Sequence, residues 1–356
     1  MRPAPPAAPD HVPVVPTTRA HVARGEPVTA RPAERTAPTT GRPDLPADWT
    51  SVRGGVGDRI FAGGALAAGL TILAALAGVF VFLLAKGATG FGKPSEVYGP
   101  HAESFLGYVF PLLVGTFTAS AIALVIAVPL AFGIALVISH YAPRWLSAPA
   151  AFVIDLLAAV PSVVYGLWGA FFLARQLVPM HEWLHATFGG WPVLGALFGE
   201  PNTAGRSILT AGIVLAVMIL PIITAITREV FSRTPRLHEE AALALGATRW
   251  EMIRMTVFPY ARSGMVSAVM LGLGRALGET MAVTMVLSVG FDLSWNIIAQ
   301  SSPTSIAANI ALKYKERSAD MLEVLVATGL VLFLLTFLVN FAARWVIGRS
   351  ERRMAR

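Results

Sequence analysis

Six long apolar runs, each almost free of charged side chains, alternate with polar segments along the 356-residue chain. Each run has at least the ~20 residues that an α-helix needs to cross ~30 Å of hydrocarbon. The runs lack the alternation of barrel strands, and lipid cannot hydrogen-bond an open backbone, so they predict membrane-spanning helices. The predicted spans are 60–85, 105–139, 145–174, 207–227, 263–291 and 321–343.

Composition supports an all-α integral membrane protein, because 55% of the residues are apolar and only 14% are charged. Most of the 28 lysines and arginines lie before the first span, between the fourth and fifth, and after the last. The positive-inside rule therefore predicts that both termini are cytoplasmic. The net charge of +7 mostly reflects this predicted topology. Membrane lipid is therefore an expected partner of the chain. No nucleic acid is expected, since the basic residues are dispersed and no recognised nucleic-acid module is visible.

The spans divide the chain into a few regions. The first 57 residues are rich in Pro, Ala, Thr and Arg, which predicts a disordered tail, either simply solvated or touching anionic lipid or a regulator. The predicted regions are a basic cytoplasmic tail 1–57, a first transmembrane helix 58–88, a core 105–346 with a cytoplasmic loop 228–262, and a basic C-terminal tail 347–356.

Little in the sequence points to bound cofactors. The chain has no cysteine, and its seven histidines lack metal-ligand spacing, so no metal site is expected. The stretch from Gly87 to Pro94 nearly matches a phosphate-binding loop. However, Pro94 stands where a Ser or Thr hydroxyl should reach magnesium, and the stretch follows a membrane span. We therefore expect no cofactor on this chain, and any chemical energy must come from a partner.

The loop 228–262 carries two helix signals. Thr234 and Pro235 predict an N-cap and a first helical position, with a helix to about Leu245 and a turn at Gly246. A second amphipathic helix is predicted from the capping-box spacing of Thr248 and Glu251, and Pro259 should end it. Such a pair can form a rigid docking surface for another protein, or it can lie on the lipid headgroups.

An arginine and a glutamate interrupt the fifth apolar run. Arg275 and Glu279 are four residues apart, so on a helix they share one face. An unpaired charge at mid-bilayer costs ~2.5–3.5 kcal/mol, which predicts either mutual pairing or an aqueous cavity. A guanidinium suits phosphate oxygens, so the pair is predicted to line an anion pathway, the alternative being an ion pair that only fixes helix packing.

Other polar residues within the spans are weaker candidates for a pathway or gate. Ser162 and Tyr165 offer hydroxyls near the middle of the third span. Asp155 and Glu323 can line a pathway or be satisfied near an interface.

The loop resembles that of ABC importer permeases, which reads E-A-A, three residues, Gly, nine residues, Ile, one residue, Leu-Pro. This chain has Glu240, Ala241 and Ala242, then Gly246, with Thr256, Phe258 and Pro259 at the later positions. The spacing is intact, although Thr256 and Phe258 replace the Ile and Leu. The resemblance implies a MetI-like permease fold and gives Glu240, Ala241, Ala242 and Gly246 a role in coupling to an ATPase.

Three further segments are similar to the permeases of phosphate-specific importers: P-S-V-V-Y-G from Pro161, A-G-I-V-L-A-V-M-I-L-P from Ala211, and G-L-G-R-A-L-G-E-T-M-A-V from Gly272. The resemblance covers about residues 58–344. It implies that Arg275, Glu279 and Thr280 serve phosphate movement. It also implies a second permease, two copies of a cytoplasmic ATP-binding subunit that uses ATP and Mg, and an extracytoplasmic phosphate-binding protein. The permease itself is then not an enzyme.

Alternatives from other classes remain open at this point. A secondary transporter or channel usually shows internal repeats and leaves the E-A-A loop without a purpose. An intramembrane enzyme needs a nucleophile with its base, or a metal cluster, at membrane depth. Within the importers, the alternatives are a permease for sulfate or molybdate and the sister permease of the phosphate system.

Overall fold

The computed structural model describes residues 55–99, 102–287, 289–290, 294–299, 301–316 and 318–354. Most of the predicted N-terminal tail, residues 1–54, lies outside these ranges. The chain divides into two compact units, Met1–Leu66 and Ala67–Arg356, and the packed helices described below belong to the second.

The described residues form helices and a short pair of strands. The helices are α1 Val56–Gly87, α2 Ser95–Tyr98, α3 Phe105–Leu136, α4 Arg144–Ala158, α5 Ser162–Trp168, α6 Ala174–Phe188, α7 Leu194–Leu197, α8 Ile208–Ser232, α9 Arg236–Ala244, α10 Arg249–Met252, α11 Phe258–Leu277, α12 Met281–Val286, α13 Ile306–Lys313 and α14 Ala319–Met354. Strands β1 Val289–Gly290 and β2 Ser302–Pro303 pair in parallel, with Val289 opposite Ser302. Short π-helical turns at Val137–Tyr141, Gly169–Leu173 and Ile253–Val257 join some of the helices.

Five helical segments in the described part of the chain are long and apolar enough to cross a membrane. They are Val56–Gly90, Phe105–Tyr141, Ser162–Phe188, Ile208–Ser232 and Ala319–Trp345. Four of them match predicted spans closely. The last helix, α14, also continues to Met354, through most of the segment 347–356 that the sequence assigns to a tail.

The predicted third span, 145–174, is wrong as a single helix. The chain forms α4, breaks at residues 159–161 and starts α5 at Ser162. Pro161 causes the break, because a proline has no N–H for the helix and pushes the residue before it out of the α region. The apolar segment long enough to cross the membrane is therefore Ser162–Phe188, displaced toward the C-terminus from the prediction.

The predicted fifth span, 263–291, is also wrong as a single helix. Helix α11 ends at Leu277, and α12 begins at Met281 after the three residues 278–280. Gly278 has low helix propensity, and the Glu279 carboxylate accepts a hydrogen bond from the Ala282 N–H, which favours a new helix start. The break lies where the sequence places its embedded charges.

Helix α8 lies at the centre of the bundle, and 67% of its most apolar 18-residue stretch is buried. Helix α3 packs along it through a stripe of fully buried alanines at four-residue spacing: Ala119, Ala123, Ala127 and Ala131. Small side chains let two membrane helices approach closely, which gains van der Waals contact where lipid offers no hydrophobic driving force. The α3–α8 pair thus forms the frame against which the broken helices are held.

The start of α14 is fixed by polar contacts. The Lys93 ammonium lies 2.6 Å from carboxylate oxygens of both Asp320 and Glu323. These two carboxylates, by hydrogen bonding first of all, raise the pKa of Lys93 above its ordinary value. Beside it, the Asn309 amide donates to the Tyr108 hydroxyl at 2.7 Å in a buried contact. These contacts hold the segment after α1 and helix α3 to α13 and α14.

Candidate functional site: two broken helices and a cationic cavity

The break between α11 and α12 contains the glutamate and threonine predicted to line a pathway. Glu279 is 8% exposed, and its Oε1 accepts from the Ala282 N–H at 3.1 Å, so its carboxylate caps α12. Thr280 donates through Oγ1 to the Gly278 carbonyl at 3.3 Å. A negative charge at a helix N-terminus is stabilised by the helix dipole. Glu279 is therefore held by α12.

Arg275 lies in the last turn of α11 and lines a cavity of about 810 Å³. Its Nε is buried and has no hydrogen-bond partner. No acidic side chain is among the described residues around the cavity, whose lining residues are Ile222, Ser263, Ser267, Met270, Leu271, Gly274, Arg275, Asn340, Arg344 and Gly348. A guanidinium in this setting retains its capacity to bind an anion.

The structure does not pair the two embedded charges with each other. Among the residues described, the ion pairs within 4 Å do not include one between Arg275 and Glu279. The expectation that the two share one helix face is wrong, because α11 ends at Leu277, between them. Glu279 accepts a hydrogen bond from the N-terminus of α12, whereas Arg275 lines a cavity and its Nε has no hydrogen-bond partner.

A second cavity, of about 420 Å³, borders the break. Gly278 and Thr280 line it, together with Tyr314 from the segment before α14. Residues on either side of the end of α11 thus line two different cavities, Arg275 the first and Thr280 the second.

The helices that follow the two breaks, α5 and α12, pack against each other. A Cβ built on Gly166 of α5 would lie 2.8 Å from the Ala282 Cα of α12, so only glycine allows this approach. The Tyr165 hydroxyl donates to the Leu157 carbonyl at 2.8 Å, which satisfies the open end of α4. Ser162 begins α5 and is half-buried. Tyr165 thus fixes the first break, and Gly166 joins it to the second.

The structure places the other two acidic candidates away from the cavity. Asp155 lies 3.4 Å from Arg228 at the end of α8, and its side chain is half exposed. Glu323 pairs with Lys93 at the opposite end of the bundle. Neither lines the cavity that contains Arg275.

The loop forms a knob with a packed base and an exposed tip. Ala242 is buried among Phe231, Met252 and Ile253, whereas Glu240 and Ala241 are exposed. Leu245 is 88% exposed at the tip. These residues present an apolar surface flanked by a carboxylate.

The turn in this knob requires glycine. Gly246 has φ +87°, which is left-handed backbone that side chains rarely adopt, and it follows directly after α9 as helix-ending glycines do. The next helix begins with the predicted capping box: the Thr248 N–H donates to the Glu251 carboxylate at 2.8 Å, and the Glu251 N–H donates to the Thr248 hydroxyl at 3.3 Å. The donation from the backbone N–H of Thr248 lowers the pKa of Glu251 below its ordinary value.

Two details of the predicted loop are wrong. The first helix begins at Arg236, one residue later than expected, with Pro235 as its N-cap. Pro259 does not end the second helix, because it lies in the first turn of α11, where a missing N–H is tolerated. The π-helical turn Ile253–Val257 joins α10 to α11, so the knob is continuous with the helix that carries Arg275.

The sequence reasoning missed the α14 side of the cavity. Asn340, Arg344 and Gly348 recur every four residues and line it from that helix. Their spacing is a visible signal in an otherwise apolar span.

Comparison with known proteins gives consistent matches. Residues 127–356 match the family model described as "Binding-protein-dependent transport system inner membrane component". Curated relatives include "Phosphate transport system permease protein PstC 2" of Mycobacterium tuberculosis, which is 45% identical over 82% of this chain and 92% of its own length. "Phosphate transport system permease protein PstC" of Mesorhizobium japonicum is 41% identical over 86% and 94%, and that of Pasteurella multocida is 43% identical over 73% and 80%. A solved inward-facing MetNI methionine ABC transporter covers 68% of this chain and 93% of its own at 19% identity, with a TM-score of 0.44.

Proposed function

The chain belongs to the family of binding-protein-dependent transport system inner membrane components, and we propose that it is the permease subunit of an ATP-driven importer of inorganic phosphate. Its family places it in the inner membrane with an all-helical, MetI-like permease fold. The relatives that are 41–45% identical over 73–86% of this chain are phosphate permeases by name. The observation on this chain that carries the proposal is Arg275, which lines a cavity without acidic described neighbours.

The chemistry of Arg275 fits an oxyanion. A guanidinium offers a planar fork of donors that matches phosphate oxygens, and it keeps its charge at any physiological pH. Its positive charge offsets part of the free energy that phosphate loses when it leaves bulk water. The side chain of Arg275 lines the cavity, so its guanidinium can face such a ligand, although its Nε is buried. Glu279 is held by α12 in this conformation, so it leaves the arginine free.

The permease carries out no covalent step; ATP hydrolysis belongs to a separate subunit. We propose that the knob of Glu240, Ala241, Ala242 and Gly246 docks on a cytoplasmic ATP-binding dimer. The exposed Leu245 and the turn at Gly246 support this role, because an apolar tip on a rigid turn suits a cleft in another protein. A second permease and an extracytoplasmic phosphate-binding protein complete the proposed assembly.

The proposed topology has six crossings and both termini in the cytoplasm. In this topology α11 and α12 together make the fifth crossing. Neither helix is among the five described segments that are long and apolar enough to cross a membrane. The excess of basic residues in the loop 228–262 and near both ends supports this orientation. The cavity at Arg275 then faces the cytoplasm, and that at Thr280 faces outward.

Transport follows as a change at the paired breaks. In the proposed cycle, the loaded binding protein docks outside and ATP closes the motor subunits inside. That closure moves the knob, and the continuous path from α10 to α11 carries the movement to residues 278–280. Phosphate then passes from the cavity at Thr280 to that at Arg275. The contact of Gly166 with Ala282 keeps the two breaks moving together.

The proposal is tested by phosphate uptake into vesicles that contain this chain with its co-purified partner subunits. Uptake should require ATP and loaded binding protein. Phosphate-loaded binding protein should stimulate ATP hydrolysis, while sulfate-loaded or molybdate-loaded binding protein should not. Stimulation by sulfate or molybdate alone would instead indicate a permease for another oxyanion.

A further inference from the structure

The cavity that contains Arg275 continues along two helices. On α11 its lining reaches from Arg275 back to Ser263, which is twelve positions or ~18 Å of helix. On α14 it is lined by Asn340, Arg344 and Gly348, which share one face because they are four residues apart. The space is therefore an elongated groove between α11 and α14 that leads from the break toward the knob.

The polar groups in this groove are suited to anions along its length. Arg344 supplies a second guanidinium, and Ser263 supplies a hydroxyl. The Ser267 hydroxyl donates to the Ser263 carbonyl at 2.9 Å and must rotate away from it to donate to an anion. Within the described ranges, no ion pair occupies Arg344. The Asn340 amide donates one hydrogen bond to the Thr336 carbonyl and keeps a second N–H. Among its described lining residues, the groove combines cations and neutral donors without an acid.

We propose that Arg344, with Ser267 and Asn340, forms a second oxyanion site between Arg275 and the mouth of the groove. This inference rests on the proposed function, because it assigns the groove as the exit for transported phosphate. The site holds phosphate after it leaves Arg275 and before it reaches bulk water.

A second site makes exit faster. A single deep arginine binds an anion tightly enough to delay its release, whereas conduction needs sites that bind well enough for entry and weakly enough for exit. Arg344 is exposed, so water screens its charge and its hold on phosphate is weaker than that of the partly buried Arg275. The affinity for phosphate thus falls from Arg275 to Arg344, in the direction of the cytoplasm.

Arg344 offers the same chemistry to a free phosphate ion and to the phosphate of an anionic lipid headgroup. The groove favours the free ion, because its other wall is α11 with Ser267 and it reaches Arg275. The two sources are distinguished by the lipid in which the assembly is studied.

The chain has no cysteine, so a single introduced thiol reports on the groove. Met270→Cys places a thiol on the lining, between Ser267 and Gly274. The complete assembly, in nanodiscs of neutral phosphatidylcholine, is labelled with a negatively and a positively charged thiol reagent of equal size. Two quantities are measured with and without Arg344→Gln. The first is the preference for the negative reagent, and the second is the protection of the thiol by added inorganic phosphate. Arg349→Gln is the matched control, since Arg349 lies on the same helix, outside the groove, over the Trp345 ring at 5.1 Å.

Arg344→Gln should slow labelling by the negative reagent about fivefold and speed labelling by the positive reagent about fivefold, the factor expected for one unit charge a few ångströms away in water, so the preference should fall by about 25-fold. It should also weaken the protection of the thiol by phosphate and slow phosphate uptake. Arg349→Gln should leave labelling, protection and uptake unchanged. Unchanged labelling and protection in Arg344→Gln would overturn the exit site. The exit site would also be overturned if anionic lipid protected the thiol while free phosphate in neutral lipid did not. Failure of the unmodified assembly to take up phosphate would instead overturn the proposed function.

Discussion

The close approach of α5 to α12 makes Gly166→Ala an informative substitution. The new Cβ would lie 2.8 Å from the Ala282 Cα and 3.1 Å from the Met285 sulfur, where ordinary contacts begin at 3.4 Å. The nearer neighbour is backbone, so it cannot turn aside as a side chain can. Helices α5 and α12 must therefore separate by about half an ångström.

The magnitude follows from two opposing terms. Overpacking of this size costs about 1–3 kcal/mol, and replacing a helical glycine by alanine returns up to about 1 kcal/mol. Midway through both ranges the net loss is about 1.5 kcal/mol, which corresponds to a fall in Tm of roughly 3–6 °C, at ~2–4 °C per kcal/mol. Gly274→Ala is the matched control, because a Cβ there meets no atom within 4 Å.

The assay is thermal unfolding of the purified assembly, followed by phosphate uptake of the same preparations. Gly166→Ala should unfold at a lower temperature and transport more slowly, while Gly274→Ala should unfold at or slightly above the temperature of the parent. Ala282→Gly should not rescue Gly166→Ala, because the conflict is with the Cα and not with the Ala282 methyl group. Equal stability of the two alanine variants, or full rescue by Ala282→Gly, would refute the packing of the two breaks.

Three further predictions concern the knob and the first break. Gly246→Ala places alanine at φ +87°, which costs about 1–2 kcal/mol, so phosphate uptake and its coupling to ATP hydrolysis should fall. Gly246→Asn should retain more of both, and equal losses in the two variants would contradict the left-handed turn. Because the folded-state pKa of Glu251 is lowered, its cap stabilises the knob above the unfolded pKa of about 4.3 and is lost as pH falls through the folded value. Amide exchange at α10, corrected for intrinsic rates, should therefore accelerate in acid, and Glu251→Gln should abolish this acceleration because the glutamine side chain does not titrate. Tyr165→Phe removes the hydrogen bond to the Leu157 carbonyl and should lower stability by about 1 kcal/mol, with unchanged stability counting against that bond.

Much of the bundle could be predicted from apolar length alone, because a run of twenty apolar residues has few other solutions in lipid. Helix α3 and the starts of α8 and α14 fall close to the predicted boundaries, whereas α14 extends well past its predicted end. The capping box of Thr248 and Glu251 was equally predictable, since it depends on residues three positions apart. Such features are local, and their physical chemistry is contained in a short window.

The two helix breaks could not be placed in this way. Pro161 and Gly278 are tolerated inside many membrane helices, where neighbouring groups satisfy the freed backbone. Whether a helix bends or ends there depends on contacts from distant segments, such as Ala282 against Gly166. A four-residue spacing likewise predicts a shared face for Arg275 and Glu279 only while the helix continues. Once α11 ends at Leu277, that inference fails.

The cavity was predicted only in part. Arg275 is conspicuous as a charge within an apolar run, whereas Arg344 lies near the end of its span and resembles an ordinary interfacial arginine. Their common cavity depends on how α14 crosses α11, which no single segment encodes. The roles assigned to Arg275, Glu279, Thr280 and the knob remain predictions.

Phosphate uptake by the assembly carrying Arg275→Gln tests the central claim most directly. Loss of the charged hydrogen bonds, worth about 1.5–3 kcal/mol, should slow uptake by roughly tenfold to a hundredfold. Arg275→Lys should recover only part of the rate, and Arg175→Gln, at an exposed arginine away from the cavity, should transport normally. Uptake at the full parental rate by Arg275→Gln, in an assembly that forms and hydrolyses ATP, would contradict the account.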